Sequence, residues 1–154
     1  MDYRISRIGI EDIGTFIQFR AWMFAEVGMG GDYGQLDEVT ADYLHDHVPS
    51  GDFVGWLART PDAEPIASAG LSIYTLSPKP INLTGQYGYV SSFYTVEPHR
   101  GKGIAKRLVK DLVACAKEIG LPALRLHASE AGRPIYEQQG FKALNEMGLT
   151  LQGE

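Results

Sequence analysis

The chain has 154 residues, a formal net charge of -5, 44% hydrophobic residues and 21% charged residues. These values are typical of a globular protein with one core, so we expect a single domain over residues 1–154. The acidic balance argues against a nucleic-acid partner, and the sequence holds no apolar run of the roughly 20 residues that a membrane span needs. The single cysteine excludes an internal disulfide, no Cys/His cluster has zinc spacing, and the first residues lack the apolar core of a secretory signal. We therefore expect a cytoplasmic protein without a metal site.

The first half of the chain predicts two helices and three strands. Asp12 is a candidate N-cap, and the apolar residues after it follow helical spacing. In chain order, the predictions are a strand at 3–8, a helix from 12 to about 27, a glycine-rich connection at 28–31, a shorter helix at 36–47, and a hairpin of strands 53–59 and 66–76.

The second half predicts a strand–helix–strand unit. The right-handed crossover rule makes the two strands of such a unit parallel neighbours. In chain order, the predictions are a strand at 87–96, a helix at 102–119, a short strand at 123–127, a short helix from Pro134 to Gly140, and a closing hairpin at 141–144 and 147–151. The fold class predicted is α/β (α+β), with a mixed, mostly antiparallel sheet, a β-α-β crossover and helices on both faces.

The turn between the strand at 87–96 and the following helix has the features of a phosphate cradle. Gly101 and Gly103 precede a helix whose first amides lack intrahelical partners, and the helix dipole favours an anion there. Cations are concentrated in this region, at Arg100, Lys102, Lys106, Arg107 and Lys110. The alternative interpretation of these cations is that they form an ordinary solvent-exposed helix face without a ligand. The segment lacks the lysine-hydroxyl pair of a nucleotide-binding P-loop.

Two segments carry a family resemblance. Residues 100–105, Arg-Gly-Lys-Gly-Ile-Ala, fit the signature Arg/Gln-x-x-Gly-x-Gly/Ala, and residues 134–141 resemble the motif Tyr-Glu-x-x-Gly-Phe. In this order and at this separation, the two motifs resemble those of the GCN5-related N-acetyltransferases (GNAT family). The resemblance covers about two thirds of the chain and implies the GNAT fold and acetyl-CoA as the acyl donor.

The resemblance also implies which residues bind the donor. Backbone groups of the strand end would pair with the pantetheine arm, the glycine turn would hold the pyrophosphate, and the cations would neutralise it. The implied donor-binding residues are Tyr94, Thr95, Val96, Arg100, Gly101, Lys102, Gly103, Ile104, Ala105, Lys106 and Ser129. Ser129 stands where relatives often have Asn, and one residue fewer separates Pro98 from Arg100 than in many relatives.

The resemblance implies that Tyr136 is the catalytic general acid, which protonates the departing thiolate; the alternative is an aromatic residue packed beside Phe141. No general base is evident, because Ser91 and Ser92 stand where relatives often have a carboxylate. His127 and Glu26 are candidates, and a water relay or an amine that arrives neutral removes the need for a base.

The function implied is transfer of acetyl from acetyl-CoA to the primary amine of a small molecule or peptide. The acceptor site is expected over the first two helices, where large apolar residues are frequent: Trp22, Met23, Phe24, Met29 and Tyr33. The alternative is a non-catalytic acyl-CoA-binding sensor or assembly module. Because the edge strands near the C-terminus need cover, a homodimer is a further expectation.

Overall fold

The computed structural model describes residues 2–153, and within them one sheet is flanked by α-helices. The strands are β1 (Arg4–Arg7), β2 (Phe53–Arg59), β3 (Pro65–Thr75), β4 (Gln86–Thr95) and β5 (Leu124–Leu126). The helices are α1 (Ile13–Glu26), α2 (Tyr33–Ser50), α3 (Ile104–Glu118) and α4 (Arg133–Gln138). Short 3-10 turns precede α1 and follow β4.

The sheet has the order β1-β2-β3-β4-β5. The first four strands are antiparallel neighbours, and β5 runs parallel to β4 after the crossover through α3. The predicted mixed, mostly antiparallel sheet with a β-α-β crossover is therefore confirmed.

The helices cover both faces of the sheet because side chains alternate between the faces along each strand. On one face, Leu71 and Val90 pack against Leu108 and Leu112 of α3. On the other face, Phe53 and Leu57 pack against residues of α1 and α2, including Phe16 and Leu44. This second layer places α1 directly over β4, and that placement builds the site described below.

Local hydrogen bonds explain where the first two helices begin. The Asp32 carboxylate accepts a hydrogen bond from the Gln35 amide at 3.0 Å, so α2 starts three residues earlier than predicted. Asp12 stands at the N-cap of α1, but its carboxylate does not cap that helix. It accepts instead from the Gly9 amide at 2.9 Å and from Arg59 at 2.7 Å, and so ties the start of α1 to β2.

The predicted closing hairpin at 141–144 and 147–151 is wrong. Residues 141–151 form no strand, and their side chains gain no sheet to pack on: Met147, Leu149 and Leu151 are 92%, 84% and 86% exposed. The alternating pattern is that of a strand, but a two-stranded hairpin without a packed face is marginal in water. The sheet of one chain therefore ends at β5.

Three further observations concern metals, membranes and the thiol. Among residues 2–153, no helix has both the length and the apolar character that crossing a bilayer requires. The same residues contain no group of three His, Cys, Asp or Glu side chains placed to hold a metal ion. Cys115 is buried in α3, and burial raises the pKa of its thiol, which fits a small core residue.

Candidate active site

The sheet opens between β4 and β5. Pairing between these strands covers only three positions, from Gly88 opposite Leu124 to Val90 opposite Leu126. Beyond Val90, β4 continues to Thr95, whereas the chain after Leu126 leaves the sheet. The last five residues of β4 therefore have an edge that faces an opening rather than another strand.

A bulge at Ser92 lies at the start of this opening. Ser92 has φ 62, a left-handed conformation that residues other than glycine seldom adopt, and it is 3% exposed. Buried contacts hold it: the Ser68 hydroxyl donates to the Ser92 carbonyl at 2.8 Å, and Arg20 Nη1 donates to Ser92 Oγ at 2.7 Å. Such bulges recur beside active sites, where they redirect a strand.

The backbone groups at the open edge follow from the β3–β4 register. The Val96 amide donates to the Ile66 carbonyl at 2.9 Å, so it points toward β3. Because peptide groups alternate in direction along a strand, Tyr94 also faces β3, whereas Phe93 and Thr95 face the opening. Of the implied pairing residues Tyr94, Thr95 and Val96, only Thr95 faces the opening, and its carbonyl already accepts from Arg100 at 2.7 Å, which leaves its amide. Phe93 also faces the opening, and the sequence did not single it out.

The glycine turn at the start of α3 has the geometry of an anion cradle. Gly101 and Gly103 have φ 75 and φ 80, and no atom lies within 4 Å of the position that a Cβ would occupy at either residue. Gly103 is the N-cap of α3. None of the amides from 101 to 106 donates a hydrogen bond to another residue in the range 2–153. Six successive unpaired donors beside open space match the requirement for binding a phosphate group.

The cations of this turn divide into two groups. Lys102 and Lys106 are exposed. Arg100 instead donates to the Thr95 carbonyl and to Glu26 of α1, both at 2.7 Å, and the Glu26 contact raises the pKa of Arg100. Arg100 therefore joins α1 to the end of β4, and Glu26, a candidate base, is held in an ion pair.

Ile104 and Ala105 belong to this run of unpaired amides. The Ile104 side chain is 2% exposed and belongs to the core under α3, so only its backbone is available to a ligand at the turn.

Tyr136 lies on the other side of the opening. Its ring meets Phe93 at 5.8 Å and Phe141 at 5.7 Å, both edge-on. Burial raises the pKa of Tyr136 to about 12, so its hydroxyl keeps its proton through neutral and moderately alkaline pH. Ser129 accepts a hydrogen bond from the Gly132 amide at 3.1 Å and so helps to start α4, which carries Tyr136.

A cavity of about 320 Å³ lies between the sheet and the first two helices, on the face of β4 opposite to the face that α3 covers. Its lining combines apolar and hydroxyl side chains with one cation: Phe16, Arg20, Val39, Thr40, Tyr43, Leu44, Phe53, Ser72 and Ser91. None of the five residues that the sequence favoured for the acceptor region lines it. The signal for Arg20 was present in the sequence, because Arg20 lies four residues after Phe16, on the core-facing side of α1.

The cavity lining contains no carboxylate and no histidine. His127 is exposed at the end of β5, on the other side of the opening. The described residues thus place a protonated tyrosine at the opening, but no base in the cavity.

Comparisons with known proteins agree with this geometry. A profile of the acetyltransferase (GNAT) domain matches residues 80–149, which include the cradle and Tyr136. A 60-residue segment is 37% identical to an uncharacterized N-acetyltransferase, YycN, of Bacillus subtilis; it spans 37% of this chain and 38% of that relative.

Two solved structures resemble the whole chain. A predicted acetyltransferase with acetyl-CoA from Clostridium acetobutylicum matches at 28% identity and a TM-score of 0.90, with 97% of each chain covered. A GCN5-related N-acetyltransferase from Ralstonia eutropha matches at 27% identity and a TM-score of 0.87, with 99% of this chain and 100% of that chain covered. With the open β4 edge and the glycine turn, these matches lead to one conclusion: the chain has the fold of the GNAT acetyltransferases and resembles that family in sequence over residues 80–149.

Proposed function

We propose that this protein transfers an acetyl group from acetyl-CoA to the primary amine of a small molecule or peptide by direct attack on the thioester. The observation that carries the proposal is the run of unpaired amides from 101 to 106 beside the open edge of β4. A similar protein from Clostridium acetobutylicum was crystallised with acetyl-CoA, which supports the choice of donor.

The residues present fit such a donor. The amides of the glycine turn would hold the pyrophosphate, and Lys102 and Lys106 would offset its charge. Phe93 and Thr95 would bind the pantetheine arm as an added strand binds a sheet edge, and Ser129 retains a hydroxyl proton to donate. The bound donor would supply an activated acetyl group. The protein would have to stabilise the departing thiolate and to accept an amine in its neutral form.

Tyr136 would act on the departing sulfur. Burial raises the pKa of Tyr136 to about 12, above the roughly 8.5 of a thiol in water, so a thiolate that stays solvated would not take the tyrosine proton completely. Burial thus makes Tyr136 a hydrogen-bond donor to the thiolate rather than a strong acid. The neutral amine becomes an ammonium as its C–N bond forms, and the proton that this nitrogen then loses, or a proton from solvent, would reach the sulfur as the C–S bond breaks.

Since the cavity lining offers no base, the amine would enter neutral or lose its proton to water. The same observation favours the second candidate function, a non-catalytic sensor of acyl-CoA.

One experiment tests both functions. Purified protein is titrated with acetyl-CoA by calorimetry, and thiol release is then followed with a panel of amines. Binding with amine-dependent release supports the enzyme, whereas binding without release with any amine supports the sensor. Absence of binding to CoA and acetyl-CoA would overturn both.

A further inference from the structure

Arg20 is a cation without a counter-ion in the cavity between α1, α2 and β4. It is half-buried, and it forms no ion pair with any carboxylate of residues 2–153. Its Nε atom is buried and has no hydrogen-bond partner among these residues. Burial lowers the pKa of Arg20 from its ordinary value, and the opposing electrostatic effect comes from Tyr43 rather than from an acid.

Internal contacts hold the guanidinium in place. Nη1 donates to Ser92 Oγ at 2.7 Å, and the guanidinium lies over the Phe24 ring, 5.1 Å from its centroid. Nη2 makes no hydrogen bond within residues 2–153, and the side chain lines the cavity. Even a half-buried cation is costly without a counter-ion, and arginine is the side chain best suited to bind a planar carboxylate.

We infer that Arg20 binds a carboxylate of the acceptor, so that the preferred substrate is a small amino acid or another amine that carries a carboxylate. This inference rests on the proposed function. Ser91 lines the same cavity and is adjacent to the bulge at the opening, so an acceptor held by Arg20 is directed toward the donor edge. The hydroxyls of Tyr43 and Ser72, 3.3 Å apart, offer further polar contacts on the wall. One arginine with no lysine in the lining favours a carboxylate over a phosphate dianion.

The test compares each amino acid with its own primary amide as acceptor. The panel includes α-amino acids and ω-amino acids of increasing length, and the reading is kcat/KM for thiol release. The amide has the less basic amine and so the larger neutral fraction, which means that a preference for the acid cannot come from amine protonation. We expect the acid to be favoured by about 10- to 100-fold, the effect of one charge-assisted hydrogen-bonded pair.

Arg20→Gln provides the second arm, because glutamine can still donate to Ser92 but carries no charge. It should abolish the preference for the acid and leave acetyl-CoA affinity within about twofold. Arg7→Gln makes the same chemical change at an exposed arginine far from the cavity, and it should keep the preference. Equal kcat/KM for acid and amide in the unmodified protein would overturn the Arg20 assignment alone, whereas lack of release with every amine would overturn the proposed function.

A second inference comes from the C-terminal segment. Met147, Leu149 and Leu151 alternate as on one face of a strand and are almost fully exposed. A groove of about 440 Å³ lies between β5 and residues 139–144, over the helix α3. The same chain thus carries an unpaired apolar segment and, beside the outer edge of β5, an uncovered groove.

We propose that residues 147–151 of a second copy of this chain fill this groove and extend the sheet beyond β5, with the two copies exchanging their segments about a twofold axis. Charge favours this occupant. Lys117, Arg125 and Lys142 line the groove and no acid does, while residues 145–153 carry Glu146 and no cation. An exchange of this kind pairs both exposed features at once in a closed dimer.

Sedimentation of the full chain tests this proposal. The unmodified protein should be a dimer at micromolar concentration, and Leu149→Asp should make it a monomer with an unchanged circular dichroism spectrum. Ile81→Asp is the matched control, because Ile81 is 89% exposed on the loop before β4, and this variant should remain a dimer. A monomeric unmodified protein, or a dimer that survives Leu149→Asp, would overturn the proposal.

Discussion

The rings of Tyr136 and Phe93 meet edge-on across the opening of the sheet, with centroids 5.8 Å apart and an interplanar angle of 89°. Phe93 belongs to the open edge of β4, and Tyr136 belongs to α4, whose N-cap Gly132 donates its amide hydrogen bond to Ser129. The contact therefore holds a phenol beside the backbone groups proposed to bind the thioester.

Replacing Tyr136 with Phe keeps both ring contacts and removes only the hydroxyl. We expect kcat to fall by about 10- to 100-fold, because one hydrogen bond to a charged leaving group is lost, while acetyl-CoA affinity stays within about twofold. Steady-state kinetics and calorimetry measure the two effects separately. An unchanged kcat would show that Tyr136 serves packing only.

The pH dependence of turnover follows from the raised pKa of Tyr136. Because that pKa is about 12, the phenol stays protonated at every pH in common assay use, and it contributes no falling limb below about pH 11. Since the cavity contains no base, kcat/KM should rise about tenfold per pH unit up to the pKa of the acceptor amine. A plateau well below that pKa would reveal a protein base that the cavity lining lacks.

Gly103→Val should weaken acetyl-CoA binding by more than tenfold. The side chain would enter the open space in front of the cradle amides, and valine is strained at φ 80. Gly120→Val is the matched control: Gly120 has φ 79 and is equally free of neighbours, but it lies at the far end of α3. Both variants should lose roughly 1–2 kcal/mol of stability, and only the first should lose affinity. Equal affinities for the donor would contradict the cradle.

Two ion pairs of different burial should differ in their effect on stability. Asp12 and Arg59 pair at 2.7 Å with side chains that are 15% and 25% exposed, and Asp12 also accepts from the Gly9 amide. Asp12→Ala should lower the free energy of unfolding by about 2 kcal/mol. Glu118→Ala removes the exposed partner of Arg7 and should change it by less than about 0.5 kcal/mol. Urea denaturation distinguishes these values, and similar losses would show that burial does not control these pairs.

Some features of this chain were predictable because they are encoded locally. Gly101 and Gly103 predict a turn and the start of a helix within a few residues. The order of strands and helices along the chain predicts the fold class. Arg20 and Ser92 lie 72 residues apart, and only the docking of α1 on β4 brings them together. The alternation from Met147 to Leu151 is typical of a strand, but the hairpin that it predicted does not form among the described residues, because this segment has no sheet to pack on.

The Ser92 bulge links the two proposed substrate sites within one residue. Its hydroxyl accepts from Arg20 on the acceptor side, while its carbonyl, held by Ser68, fixes where the donor edge begins. On the proposed assignments, Ser92 is therefore the residue through which the two substrates would be coupled. Thermodynamic linkage then requires the coupling to be reciprocal. If the bound acceptor changes the affinity for acetyl-CoA by some factor, bound acetyl-CoA changes the affinity for the acceptor by the same factor.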